Sequence, residues 1–208
     1  LNFYKDEIFG VATDGHRLAK AGVEFSNNVD EPINAIVPRK GVIEIDKQLE
    51  EEDQDIKIII SKNHMQVTSS FSEAVTKLID GKFPDYERVI PSSPDKLINV
   101  ECKVFKEALM RVSILSNDRF RGVRLNFLEN EIKVSANNPE KEEASDDIKS
   151  QYSGEPLEVG FNVNYLIDVL NTIKTKNVQI ALKDANSSAL ITPENDSTAS
   201  YVIMPLRL

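Results

Sequence analysis

The sequence predicts an α+β fold made of repeated β-α-β-β-β units, and three observations carry that prediction. Short runs in which apolar and polar residues alternate fill most of the 208 residues. Stretches of helical spacing interrupt them, and from residue 97 onward the order strand, helix, three strands occurs twice. Residues 33–79 read as a third copy with its predecessor truncated. Sequence identity between the copies is negligible, so the repeat rests on element order alone.

Residues 1–25 read as short strands, with Phe3, Ile8 and Val11 before Asp14-Gly15 and the run 18–25 after it. Asp-Gly between apolar runs predicts a type I′ hairpin, whose two central residues both need positive φ. The bland reading of this stretch is a surface turn. The alternative is that His16 and Arg17, flanked by Thr13 and Leu18, form one wall of a binding groove. After a polar connection at 27–32 and the apolar run 33–37, Pro38 stands where a helix can begin. Val42, Ile45 and Leu49 then recur at helical spacing over 39–50. Arg39 and Lys40 fall in the first turn of that helix, where cations oppose the macrodipole, a misfit that suits either anion binding or a solvated surface.

The acidic run 50–55 predicts a loop, followed by three alternating strands: Ile56/Ile58/Ile60, Met65/Val67 and the run 74–79. Asn63-His64 is expected to be the turn between the first two, with His64 exposed. Three of the nine prolines, Pro84, Pro91 and Pro94, follow closely on Gly81, and this places a domain boundary near residues 82–95. Beyond it, residues 97–101 predict a strand. Residues 103–115 predict a helix with Val104, Ala108, Val112 and Leu115 on one stripe and Lys103, Lys106 and Arg111 outside it. A polar loop at 116–121 leads to strands 123–127 and 132–136, joined at Glu129-Asn130. The acidic stretch 139–149 is an exposed strand or a loop, either simply solvated or a docking face for a basic partner.

A strand at 157–161 runs into Asn162, a fair N-cap for a helix with Val163, Leu166, Ile167, Leu170 and Ile173 at core spacing. Strands 178–182, 189–192 and 199–206 close the chain. The last has apolar residues on both parities: Tyr201 and Ile203 on one, Val202, Met204 and Leu206 on the other. Its second row needs a cover, from a bound partner or from within the fold.

Composition narrows the function classes. With 25 Lys+Arg against 34 Asp+Glu the net charge is −9, so the surface on average repels nucleic acid and anionic membranes, and any DNA contact must come from a local basic patch. The single cysteine, Cys102, cannot form an intrachain disulfide or a multi-cysteine metal site, and suits a reducing cytoplasm. No apolar run approaches a membrane span, no signal-peptide pattern opens the chain, and no metal site or cofactor is expected. Because the first residue is Leu1 rather than Met, a cut-down or processed chain is expected. Catalysis is not expected either. Asp14 and His16 diverge on a turn, Ser113 and Ser116 sit in no nucleophile elbow, and no phosphate loop occurs.

Seven segments, in order along the chain, resemble the bacterial DNA polymerase III β-subunit (sliding clamp) family. They are 11–19 (VATDGHRLA), 36–43 (IVPRKGVI), 83–86 (FPDY), 114–125 (ILSNDRFRGVRL), 136–144 (ANNPEKEEA), 160–171 (GFNVNYLIDVLN) and 201–208 (YVIMPLRL). The resemblance implies a DNA-clamp fold with antiparallel sheets outside and helices on the inner face. It implies that residues 1–84 are the latter part of the middle domain and 85–208 the C-terminal domain, with the first domain and the start of the middle one absent. It implies a non-catalytic, cytoplasmic, nucleoid-associated processivity factor. When full length, such a factor closes as a head-to-tail homodimer around double-stranded DNA without sequence preference. Its implied partners are the DNA polymerase III α subunit, the clamp-loader δ subunit, and other polymerases and repair proteins that carry clamp-binding motifs.

Carried over residue by residue, the resemblance implies a partner groove lined by Thr13, Gly15, His16, Arg17, Leu18, Pro84, Arg88, Val89, Asn162, Tyr165, Ser188, Val202, Met204, Pro205, Leu206 and Arg207. Two positions depart from the family pattern: Asn186, where an apolar residue is common, and Leu206, where methionine is common. DNA contact is implied for Arg39, Lys40, Phe120 and Arg121, with Lys103, Lys106 and Arg111 added from helix position. The dimer interface is implied to use Ile114 and Leu115 as apolar knobs and Glu140, Glu142 and Glu143 as an acidic edge. A peptide-binding adaptor with no DNA role shares the groove and lacks ring closure; native mass and loading onto circular DNA separate it from a clamp.

Overall fold

Three strands open the chain, β1 (Asn2–Phe3), β2 (Glu7–Thr13) and β3 (Arg17–Glu24), and one five-element order then runs three times. The first copy is β4 (Ile33–Asn34), α1 (Arg39–Gln48), β5 (Lys57–Ile60), β6 (His64–Thr68) and β7 (Glu73–Lys77). The second is β8 (Lys96–Glu101), α2 (Cys102–Ser113), β9 (Gly122–Leu128), β10 (Glu131–Asn137) and β11 (Glu143–Lys149). The third is β12 (Leu157–Asn162), α3 (Val163–Thr172), β13 (Asn177–Leu182), β14 (Ala189–Pro193) and β15 (Ala199–Ile203). The repeated α+β order is thus the one that the sequence predicts. The computed structural model describes residues 1–26, 29–49, 55–117 and 119–207; the expected loop at 50–55 lies, apart from Asp55, outside the described residues.

Residues 1–10 and 22–85 form one compact unit, and residues 11–21 and 86–208 the other. β2 and β3 have residues in both. In the first unit β1 pairs antiparallel with β2 and β4, and β5, β6 and β7 form a three-stranded antiparallel sheet. The Tyr4 and Phe9 rings stack at 5.7 Å, and Phe3, Phe9, Ala35, Met65 and Val67 are buried. α1 starts directly after Pro38 with no side-chain cap and buries none of its residues. Its close approach is made through Gly41, where a Cβ would stand 2.4 Å from Thr76 Oγ1 of β7. Val42, one residue on and about 100° round the helix, is therefore exposed, contrary to its expected place on the buried stripe.

In the second unit the two copies exchange strands. β12 of the third copy pairs with β9 in the sheet β11-β10-β9-β12, and β8 of the second copy pairs with β13 in the order β3-β15-β14-β13-β8. The pairings β9–β10, β10–β11, β9–β12, β8–β13, β13–β14, β14–β15 and β15–β3 are all antiparallel, and β3 joins through residues 17–21. Between the sheets, α2 buries Cys102, Phe105, Ala108, Leu109 and Val112, and α3 buries Val163, Leu166, Val169 and Leu170. This is the principal core, closed by Phe127, Phe161, Ile180 and Ile191. Asn162 caps α3 as expected, its Oδ1 accepting from Asn164 N at 2.9 Å.

Four local expectations are corrected. The hairpin after β2 is not type I′: only Gly15, at φ 87°, is positive, and the loop runs over residues 14–16. The Asp14 carboxylate takes the N–H groups that a tight turn would have paired. α2 ends at Ser113, so that Leu115 lies beyond it, and Phe105 and Leu109 rather than Val104 carry its buried face. β15 ends at Ile203 instead of 206: Met204 N still bonds in register to His16 O, but Pro205 has no N–H and Leu206 N turns to Gly160 O of β12. His64 is exposed as expected but opens β6, so that the turn falls at residues 62–63, one residue earlier than expected at Asn63-His64.

Candidate partner-binding groove

The Asp-Gly hairpin is held from inside and outside. Asp14 Oδ1 accepts from His16 N and Arg17 N, both at 3.0 Å, and Thr13 Oγ1 donates to Arg17 O at 2.8 Å. From outside, Met204 N donates to His16 O at 2.9 Å, continuing the register in which Ile203 faces Arg17 and Val202 faces Leu18. Leu206 N donates to Gly160 O at 2.7 Å. The tail after β15 is thus tied by its backbone to the hairpin tip and to β12, and its side chains are left to line a surface.

Leu18 and Val202 are 4% and 1% exposed, so the fold already covers that part of the last strand's second apolar row. Met204, Pro205 and Leu206 are half-buried, and these supply the tail's accessible apolar surface. Tyr165 stands in the first turn of α3. The Arg17 guanidinium lies 4.5 Å over its ring centroid. Arg17 Nε donates to Asp14 Oδ2 at 3.0 Å and Arg17 Nη1 to Asp168 Oδ2 at 2.5 Å. The bond to Asp168, opposed by burial and reinforced by Asp14, raises the Arg17 pKa above its ordinary value. Burial pushes the Asp14 carboxyl up, but the N–H of His16 and the bonds to Arg17 outweigh it and hold the group below its ordinary value. Asp14 is therefore committed to the hairpin and to Arg17, which leaves no oriented Asp14–His16 pair for acid–base chemistry.

A second cluster contains Arg88, Val89 and Ser188, which line a cavity of about 360 Å3 together with Lys183 and Asn186. Ser188 directly precedes Ala189, which is paired with Ile203, so β14 links this cavity to the tail. Asn186 is exposed, and its N–H bonds to Asp184 Oδ1 at 2.8 Å. Pro84 lies in the first compact unit and Arg207 is exposed. The residue that sequence reasoning missed is Asp168. Its signal was present: it stands three residues after Tyr165 and so shares its helix face.

A model of the C-terminal domain of the DNA polymerase III beta subunit matches residues 87–207, and a model of the central domain of the same subunit matches residues 1–85. This chain belongs to the DNA polymerase III beta subunit family. The beta sliding clamp of Pseudomonas aeruginosa is 44% identical over 198 residues, 95% of this chain and 54% of that protein. The beta sliding clamp of Escherichia coli K12 is 44% identical over 203 residues, 98% of this chain and 55% of that one. A crystal structure of a Pseudomonas aeruginosa DNA polymerase sliding clamp with ligand superposes with a TM-score of 0.97 at 42% identity, covering all of this chain and 57% of the other. A second, of a DnaN sliding clamp from the same organism bound to griselimycin, superposes at 0.96 and 42%, covering 100% and 56%. The chain therefore spans about half the length of the beta-subunit relatives it matches.

The remaining expected site residues of this beta-subunit chain fall outside the groove. Arg39 and Lys40 are exposed in the uncapped first turn of α1. Phe120 is exposed with the Arg119 guanidinium 5.2 Å over its ring. Arg121 has φ 49°, its N–H bonded to Asn117 O and its carbonyl to Val163 N, both at 2.8 Å, which fixes the loop before β9. On α2, Arg111 donates from Nε to Asp146 at 2.8 Å, and Lys103 stands 3.9 Å from Glu107, so these weaker additions to the basic set are matched by acids. Ile114 is 78% exposed, Leu115 half-buried, and Glu140, Glu142 and Glu143 are exposed. Among the described residues no helix is long and apolar enough to cross a membrane.

Proposed function

We propose that the chain is the central-to-C-terminal portion of a sliding clamp, with residues 1–84 the latter part of the middle domain and 85–208 the last domain. Its partner groove is formed by the hairpin 13–18, Tyr165, the tail 202–207 and the cavity at Arg88, Val89 and Ser188. The observation that carries this reading is the backbone tie between Met204 N and His16 O, which sets the half-buried tail beside the Arg17–Tyr165 stack. Half-buried apolar side chains beside an aromatic wall, rimmed by a few polar groups, suit a short apolar peptide segment. The proposed occupants are the clamp-binding segments of the polymerase α subunit, the clamp-loader δ subunit and repair polymerases. Griselimycin, which a Pseudomonas aeruginosa relative binds, is the proposed laboratory ligand.

In the full-length protein, Arg39, Lys40, Phe120 and Arg121 face duplex DNA through salt-sensitive phosphate contact, and no catalytic step is assigned to any residue. Ile114 and Leu115, with Glu140, Glu142 and Glu143, form one half of a head-to-tail interface. The proposed setting is the cytoplasm, at the nucleoid. The test is processive synthesis on primed circular DNA by the full-length protein with its loader and polymerase. Long products that shorten when Met204→Ala and Leu206→Ala are combined support the reading. Product lengths unaffected by adding the full-length protein contradict it.

A further inference from the structure

We infer that Asp168, which is outside the expected lining, is a positioning residue of the partner groove: through Arg17 it holds the Tyr165 wall and the hairpin tip in the arrangement that an incoming peptide requires. The inference rests on the groove reading above and adds a residue and a device to it.

Three restraints converge on one guanidinium. Asp14 holds Nε at 3.0 Å from within the hairpin, Asp168 holds Nη1 at 2.5 Å from α3, and the plane covers the Tyr165 ring at 4.5 Å. Asp14 ties Arg17 only to its own turn. Asp168 is the partner that ties it to the helix carrying Tyr165, so that the hairpin and α3 share one fixed side chain. An arginine free to sample its rotamers must be ordered when a ligand arrives, and a pinned one has been ordered beforehand. The geometry also decides what the wall offers. One cation stands against two carboxylates, so Arg17 is neutralised and presents a flat face above an aromatic ring rather than an anchor for an acidic peptide. Lysine cannot reproduce this, because it lacks the planar fork that bonds in two directions while stacking.

A purely structural role for Asp168 is the competing explanation. The residue lies past the middle of the ten-residue α3, away from the first turn where a carboxylate would gain from the helix dipole, and its side chain is 57% exposed. The ion pair is therefore expected to contribute mainly geometry.

The test is calorimetric titration of the 208-residue chain with griselimycin, with thermal midpoints measured on the same samples. Asp168→Asn should weaken binding roughly two- to fivefold, the size expected of a half-exposed ion pair, with the midpoint nearly unmoved. Asp168→Glu should recover most of the affinity. In an Arg17→Ala background, Asp168→Asn should cost nothing further, because both changes break one tie. Arg17→Lys should weaken binding as Asp168→Asn does, and it serves as the second variant if Asp168→Asn lowers the midpoint. The difference between wild type and Asp168→Asn should shrink toward 1 M salt. Additive losses in the double variant, or unchanged affinity in both Asp168→Asn and Arg17→Lys, overturn the inference. The combined Met204→Ala, Leu206→Ala variant separates the two levels. If it loses binding while Asp168→Asn does not, the inference alone fails; if it binds griselimycin like wild type, the groove reading fails first.

Discussion

α1 and the pair α2/α3 hold the same place in their repeats and end with opposite burial. α1 buries no residue, whereas α2 buries five and α3 four. The sequences are all amphipathic, so the difference lies in what each helix meets. In the second unit each copy lends its first strand to the other copy's sheet, β12 to β9 and β8 to β13, and α2 and α3 pack together between the sheets. In the first unit β4 lends itself to β1, and no second helix stands opposite α1 among the described residues. A β-α-β-β-β copy thus supplies half of a core, and the strand exchange between copies makes the whole.

The comparison breaks most visibly if matched positions are truncated. Phe105→Ala removes a fully buried ring from the fourth position of α2 and should cost about 3–5 kcal/mol, while Val42→Ala at the exposed fourth position of α1 should change stability by about 0.5 kcal/mol or less. Urea unfolding of the two variants checks both; equal losses would mean that burial does not distinguish the units. The next effect concerns the proposed groove residues of the second unit. Met204→Ala combined with Leu206→Ala should weaken griselimycin binding by roughly tenfold or more, given the apolar area lost, with the urea midpoint little changed. Undiminished affinity would detach the groove from the tail.

The smallest expected effect sharpens the account of the hairpin. The Asp14 carboxyl is held below its ordinary value of 3.8 in the folded chain. A depressed folded pKa contributes stability that is complete above the unfolded value and is lost as pH falls through the folded one. The hairpin's share should therefore be constant from about pH 7 to about pH 5 and shrink below about pH 4. Asp14→Asn should remove that acid step from the pH profile of the thermal midpoint. The step is small because the side chain is 46% exposed, and an unchanged profile would show that Asp14 is not the group titrating.

Much of the fold was legible because period and order survive in a single sequence. Alternation marked the strands, Asn162 marked the start of α3, and the repeated order marked the copies. What was not legible depended on partners distant in the chain. The apolar tail 204–206 looks like strand, yet after Met204 bonds in register to His16 the next N–H, of Leu206, goes to Gly160. Asp-Gly looked like a type I′ turn until the Asp14 side chain took the turn's N–H groups. Nothing local says that 11–21 clusters with residues beyond 86, which the pairing of Leu18 with Val202 brings about. The proposed groove residues came from resemblance; the spacing of Asp168 from Tyr165 was visible, but that Arg17 reaches across to it was not.

The most direct measurement is a backbone amide shift map of the 208-residue chain titrated with griselimycin. The account predicts that the perturbed amides gather at 13–18, 162–168, 188, 203, 204 and 206. Perturbation confined instead to the roomier cavity of about 790 Å3 at Tyr4, Phe25 and Pro32 in the first unit would contradict it.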